Sequence, residues 1–366
     1  MGDAALVLNA GSSSLKAALI TAAGDTLWRD QRPFRPPLAA SADAAAAEPS
    51  GAEPAGPPAL EALLEGWLPA VLQTWGPRLR LAAHRVVHGG EAFTAPTRVQ
   101  PAVLQALERL LPLAPLHNGP ALRVIRWLQQ RRPQLPQWAC FDTAFHASLP
   151  AEARTYAIPA AWRRQGLRRY GFHGLNHQHV SEEAQRRLPG GSRRLISCHL
   201  GAGCSLCAIR DGRSLATSMG FTPLEGLVMA RRSGSLDPGL LLHLLRQGCS
   251  VAELERELQG GSGLLGLSEL SGDMRRLREA AAGGHAGARL AIDVFRFSLL
   301  QGIGAMAASL EGVEAIALSG GIGEHDGALR AELQQALAWL GPVHWLVVPA
   351  DEEGVIARSC LAATGG

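Results

Sequence analysis

The amino-acid sequence predicts an α/β protein of two domains, and three observations predict it. The chain has 366 residues, enough for two cores of ordinary size. Short apolar runs alternate along it with segments of helical spacing, the pattern of sheets flanked by helices. The opening sequence of strand, glycine- and serine-rich turn and second strand returns near residue 194, about 190 residues later, which suggests two related halves.

Composition narrows the class. Apolar residues make up 47% and charged residues 18%, as in a globular protein. A net charge of +3 is too small to imply a polyanionic partner. Arginine clusters at 123–132, 163–169 and 275–278 lie beside apolar residues and read as solvated faces, so no nucleic acid is expected. The first apolar run lacks a basic leader and is broken at Asn9 to Ser14, so no signal peptide is read there. No stretch reads as an uninterrupted membrane span, and no membrane partner is expected. Six cysteines (Cys140, Cys198, Cys204, Cys207, Cys249 and Cys360) are sparse for this length; they read as reduced thiols in a cytoplasmic protein.

The elements follow in order. "LVLNAGSSSLKAALI", residues 6–20, sets a strand on each side of a polar knot. Residues 30–58, rich in Pro and Ala, read as a loop. Leu60, Leu63, Leu64, Trp67, Leu68, Val71, Leu72 and Trp75 then recur at helical spacing until Gly76-Pro77 ends the run. "LAAHRVVHGG" reads as a buried strand closed by a glycine turn, followed by one helix through Leu104, Leu107 and Leu111. "QWACFDTAFH" reads as a strand with Asp142, Thr143 and His146 just past its end, where open α/β sheets hold ligands. "RLISCHLGAGCSLCAIRDG" repeats the opening pattern, and "VEAIALSGGIGEHDGALRAELQQAL" runs strand, glycine turn, helix. That last turn offers bare backbone N–H groups to an anion; taken alone, it suits slightly better an ordinary turn with positive φ at Gly320, Gly321 and Gly323.

The polar knot carries a compositional signal. Of 35 Lys and Arg residues only one, Lys16, is lysine. A lone survivor of such drift suits a site that needs a compact ammonium rather than a planar fork, although one lysine must fall somewhere by chance. With Asn9, Gly11, Ser12 and Ser14 beside it, the stretch reads as a phosphate clamp, and "HLGAG" at 199–203 as a second.

Two clamps and a glycine-rich adenosine turn form the set used by actin, sugar kinases and heat-shock ATPases. Through "NAGSSSLK", "HRVVHGGE", "LAPLHN", "FDTAFH", "YAIP", "RRYGFHG", "HLGAG", "SMGFTPLEGL", "RSGSLDPG", "SGGIGE" and "DEEGVIA", in that order, the chain resembles the acetate and propionate kinase family over about residues 5–20 and 82–358. The resemblance implies duplicated ribonuclease H-like cores, with an N-terminal domain of residues 1–144 plus 352–366 and a C-terminal domain of residues 145–351. It implies reversible, ATP-dependent phosphorylation of acetate to acetyl phosphate and ADP by in-line transfer, with Mg²⁺ (or Mn²⁺) and a homodimer. Propionate or butyrate as substrate stays open, as does a catalytically weakened nucleotide-binding regulator on the same fold.

Residue by residue, the resemblance gives Asn9 and Glu352 to the metal and Lys16, with Ser12 and Ser14, to the nucleotide phosphates. It gives Arg85 to the carboxylate substrate, Asp142 to an essential acidic role, and His173 and Arg232 to the transferring phosphoryl group. It gives three stretches to nucleotide binding: His199, Leu200, Gly201, Ala202 and Gly203; Asp273, Met274 and Arg275; and Gly321, Ile322, Gly323, Glu324 and His325. It gives Val87, Leu116, Phe172 and Pro223 to the lining of the acyl pocket. The chain departs from the family pattern at Ala202, Leu175-Asn176, Ala230-Arg231 and His325.

The chemistry suits these residue types. Attack by a carboxylate on the γ-phosphoryl brings two anions together, so the protein must gather cations and align reactants. A short aliphatic acid titrates near about 4.3 and is already ionised at neutral pH, so no general base is required. Asp142 is therefore expected to orient metal-bound water or an arginine.

Overall fold

Two sheets of one strand order organise the chain in a computed structural model that describes residues 3–11, 13–35 and 58–364, without the side chains of residues 115 and 116. The first sheet contains β1 (Ala4–Ala10), β2 (Ser14–Thr21), β3 (Thr26–Pro33), β4 (Leu79–Val86), β5 (Thr97–Arg98) and β6 (Gln137–Phe141), in spatial order β3-β2-β1-β4-β6-β5. The second contains β7 (Arg194–Leu200), β8 (Cys204–Arg210), β9 (Arg213–Thr217), β10 (Ala315–Ser319) and β11 (His344–Val347), in order β11-β10-β7-β8-β9. In each, a three-stranded antiparallel meander is followed by two strands parallel to its first. This is the ribonuclease H-like arrangement, formed twice. The chain divides into one unit of Met1–Ala144 with Glu352–Gly366 and a second of Phe145–Asp351.

The first core shows why these residues make these elements. Every residue of β1 is buried, as expected of a central strand covered on both faces. The helix Leu60–Trp75 lays Leu60, Leu64, Leu68 and Leu72 into a cluster with Leu6, Leu8 and Leu15. That helix begins at Ala59 without a side-chain cap, a loss of about 1 kcal/mol, while each buried leucine stabilises by about 1.5–3 kcal/mol; burial decides. The C-terminal helix Glu352–Ala363 packs on β1, β2, β4 and β6 through Val355, Ile356 and Cys360.

Four expectations are corrected. The loop read from residue 30 begins later, because β3 continues to Pro33; residues 36–57 lie outside the described residues. β3 is largely exposed and held by its ladder to β2, so it has no apolar period to read. The single helix through Leu104, Leu107 and Leu111 is two, Pro101–Arg109 and Pro115–Arg131, divided by a 3₁₀ turn holding Pro112, whose missing N–H breaks the ladder. The helix Ala286–Leu310 is long and apolar enough to cross a membrane, contrary to the reading that no stretch is. Its buried Ala288, Ile292, Phe295, Leu299, Ile303 and Leu310 follow helical spacing on one side, and it packs on β8 and β9, as a core helix does. Lastly, the turn after β10 is itself a short helix, Gly320–His325, and of its glycines only Gly320 has positive φ (79°). A Cβ at Gly320 would stand 2.8 Å from the Leu200 carbonyl oxygen.

Candidate active site

In the first unit β1, β4 and β6 end side by side, and their carboxyl ends carry Asn9, Arg85 and Asp142. Register explains the meeting: Leu8 pairs with His84 and Arg85 with Cys140, so Asn9 and Arg85 fall at one level with Cys140, and Asp142 follows two residues further on, on the side of the strand that Cys140 takes. Arg85 Nε donates to Asp142 Oδ1 at 2.9 Å, and its Nη2 donates to Asp142 Oδ2. Arg85 Nη1 donates to Asn9 Oδ1 at 3.2 Å. From the C-terminal helix, Glu352 Oε2 lies 3.8 Å from Arg85 Nε, and Glu353 Oε1 accepts from Asn9 Nδ2 at 3.2 Å.

Charge and burial make this group reactive toward ions. Burial lifts the Asp142 carboxyl above its ordinary value against the pull of Arg85, and Glu352 adds to the lift. Burial also works against the Arg85 cation, but Asp142, Glu352 and Glu353 together outweigh it and raise Arg85. Among the described residues no three His, Cys, Asp or Glu side chains are arranged as a metal cage. Magnesium asks for less: one or two carboxylates, with phosphate and water completing its shell. The hard oxygens of Asn9 and Glu352 fit that need.

Lys16 stands opposite Asn9 in the β1–β2 ladder, on the same side of the sheet, and is exposed. Ser14 Oγ accepts from Gln31 Nε2 at 3.2 Å, and Gly11 N donates to Ser14 O at 2.9 Å to close the turn. Val87, just past β4, is buried. The predicted Ser12 and the Leu116 side chain lie outside the described residues.

In the second unit the duplicated turn plays the matching part. His199 pairs with Ser205 across β7 and β8 where Asn9 pairs with Lys16 across β1 and β2. His173, at the start of the helix Gly174–Arg187, has φ 57°, a left-handed conformation that strains a histidine backbone by about 1–2 kcal/mol. Its ring lies 4.3 Å, centroid to centroid, from that of His199. A Cβ at Gly203 would meet His173 Nε2 at 3.2 Å and Arg232 Nη1 at 3.5 Å, so the glycine lets both side chains approach the turn. Arg232 Nη1 donates to Pro223 O at 3.1 Å. The loop bearing Pro223 is held by Glu225, which accepts from Tyr156 Oη at 2.5 Å and from Arg169 Nη2 at 2.6 Å. Phe172 is buried beside His173.

A cavity of about 870 Å³ opens in this unit, walled by Gly201, Ala202, Ala230, Arg231, Asp273, Met274, Arg275, Gly321, Ile322 and His325 among others. Its size and its apolar wall with a few polar groups suit a nucleotide. His199, Leu200, Gly203, Gly323 and Glu324 do not line it. Glu324 instead turns back, its Oε1 accepting from Gly320 N and Ala350 N at 3.0 Å each. Asp273 caps its own helix, accepting from Arg275 N at 2.9 Å.

Two residues escaped the sequence reading. Glu353, not only Glu352, reaches the Asn9 group. Arg278, read as part of a solvated face, lines the cavity, with Nε donating to Asp326 Oδ2 at 3.1 Å and Nη1 to Glu332 Oε1 at 2.9 Å. Its only signal in the sequence was an apolar residue on its flank, Leu277.

A family model described as the Acetokinase family matches residues 4–357. The chain is similar to an acetate kinase of Synechococcus sp. (strain JA-2-3B'a(2-13)), at 45% identity over 97% of this chain and 98% of that one. It is similar to an acetate kinase of Deinococcus radiodurans at 43% identity, over 99% of this chain and 98% of that one. Among solved structures, a propionate kinase from Francisella tularensis subsp. tularensis SCHU S4 superposes with a TM-score of 0.86 at 32% identity, covering 98% of this chain and 99% of its own. The acetate kinase of Porphyromonas gingivalis gives a TM-score of 0.86 at 30% identity, covering 99% of this chain and 100% of its own.

Proposed function

The chain belongs to the acetokinase family, and from that membership we propose that it transfers the γ-phosphoryl group of ATP to acetate, reversibly, to give acetyl phosphate and ADP. The observation that carries the reading is Arg85, held at the ends of three parallel strands by Asp142 and Asn9, with its guanidinium fixed as a binding plane for a carboxylate.

The residues act as follows. Arg85 binds and orients the acceptor carboxylate, and Asp142 orients Arg85 rather than removing a proton, since the acceptor is already ionised. His173 and Arg232 donate to the transferring phosphoryl oxygens, and Lys16 to the nucleotide phosphates. The cavity of the second unit takes the nucleoside, with Asp273 to Arg275 and Gly321 to His325 on its wall. Asn9 and Glu352 would hold Mg²⁺, which when bound would supply charge neutralisation to the polyphosphate.

A homodimer is part of the proposal. The helix Pro238–Arg246 buries none of its residues, and Leu236, Leu240, Leu242 and Leu245 around it are all at least 39% exposed, which supports a second copy as their cover. Six free thiols support the cytoplasm as compartment.

Trapping the product with hydroxylamine tests the reading. ATP and acetate should yield the hydroxamate with this chain and not with Arg85→Ala; nucleotide binding without hydroxamate would instead make the chain a regulator. Relative kcat/KM for acetate, propionate and butyrate then fixes the acyl preference.

A further inference from the structure

Behind His173 runs a line of four side chains that alternates ring and hydroxyl. His173 Nδ1 lies 3.0 Å from Ser205 Oγ, Ser205 Oγ lies 2.8 Å from His177 Nε2, and His177 Nδ1 lies 2.8 Å from Ser197 Oγ. Ser197, His177 and Ser205 are each 0% exposed, so bulk water does not compete for these atoms.

The elements explain the alignment. His177 follows His173 by one helical turn, and its N–H donates to the His173 carbonyl at 3.0 Å. Ser205 opposes His199 in the β7–β8 ladder, and Ser197 lies two residues from His199, so both hydroxyls leave one face of the sheet. One imidazole can therefore touch both.

Proton counting restricts what the line can do. A serine hydroxyl has one hydrogen, so Ser205 donates to one ring and accepts from the other. Burial, with His146 and His199 nearby, holds His177 well below its ordinary pKa, so it is neutral and carries one N–H. Two arrangements remain. In one, Ser197 donates to His177 Nδ1, His177 Nε2 donates to Ser205, and Ser205 donates to His173 Nδ1. The reverse puts the hydrogen on His173 Nδ1 instead. The two differ in what His173 presents at Nε2, the edge beside Gly203 and Arg232.

We infer that Ser205 and His177 are positioning residues that satisfy His173 Nδ1 from behind and so present its Nε2–H as a donor beside Arg232. The inference rests on the role proposed above for His173. Among the described residues, His199 from β7 and Arg232 from its loop stand near His173, and His177 from the same helix is linked to it through Ser205.

The test reads the tautomer and the kinetics of the full chain. In protein labelled with ¹⁵N-histidine, neutral His173 should carry its hydrogen on Nε2 alone, and in Ser205→Ala it should become a mixture. Ser205→Ala should lose about 10- to 100-fold in kcat while the KM values for ATP and acetate stay within about twofold, and Ser205→Thr should recover most of the loss. Ser214→Ala removes the hydroxyl 2.9 Å from His146 Nδ1 in the same core and should leave kcat unchanged. A hydrogen on His173 Nδ1 in the wild type overturns the inference, as does an unchanged kcat in Ser205→Ala or an equal loss in Ser214→Ala. Should Ser205→Ala fail to fold, the wild-type tautomer decides. Absence of acyl phosphate from the wild type would refute the proposed reaction instead, and the tautomer would still be read.

Discussion

Arg85 and Asp142, 57 residues apart in the chain, meet fork to fork with Nε donating to Oδ1 at 2.9 Å, and the carboxylate is nearly fully buried. Such a pair holds the guanidinium plane at a set angle, which neither a lysine nor a neutral amide reproduces. Asp142→Asn is expected to lower kcat/KM about 100-fold through misplacement of Arg85. Arg85→Lys should raise the acetate KM and not restore rate. Steady-state kinetics check both, and near-full turnover of Asp142→Asn would show that the orientation is dispensable.

Glu352 and Glu353 are adjacent but meet different partners, Arg85 and Asn9 respectively. Glu352→Gln is expected to raise the magnesium concentration needed for half-maximal rate by about tenfold. Glu353→Gln keeps an oxygen for Asn9 Nδ2 and should change it far less. Titration of magnesium at fixed ATP distinguishes them; equal shifts would move the metal role off Glu352.

Acid should weaken both units. Burial pushes His84 from 6.5 to about 4 against its hydrogen bond with Gln137, and pushes His146 to about 4 against its bond with the Phe172 carbonyl. Between about pH 6.5 and 4 the unfolded chain binds protons that these folded histidines refuse, so stability falls as pH drops through that window. Each site accounts for a loss of about 3 kcal/mol by its lower end. Urea midpoints measured from pH 7 to 4 should fall steadily; a flat profile would mean that both rings accept protons in the folded state.

Leu242 is 51% exposed on a helix with no buried residue. If a second copy covers it, Leu242→Glu should convert dimer to monomer in sedimentation equilibrium while the fold persists by circular dichroism. A monomeric wild type would remove the dimer from the proposal.

Legibility followed burial. β1, β4, β6, β7 and β10 were visible in the sequence because central parallel strands are largely covered on both faces and read as short, mainly apolar runs. β3 was not, since an exposed edge strand is held by backbone bonds that leave no side-chain period. In the site, Asn9, Arg85 and Asp142 stood in recognisable motifs, whereas Arg278 looked like any surface arginine until the fold turned it into the cavity wall.

The order of residues alone determined the chemical inventory: one lysine, glycine turns at the ends of two hairpins, and an arginine and an aspartate at strand ends. Only the folded chain decided their pairings. Asn9 finds Glu353 across 344 residues, and Ser205 finds both His173 and His177, because strand register and helix phase set which atoms come within hydrogen-bond reach. Hydrogen bonds act over about 3 Å, so chemistry written locally acquires direction only when distant segments are packed to that tolerance.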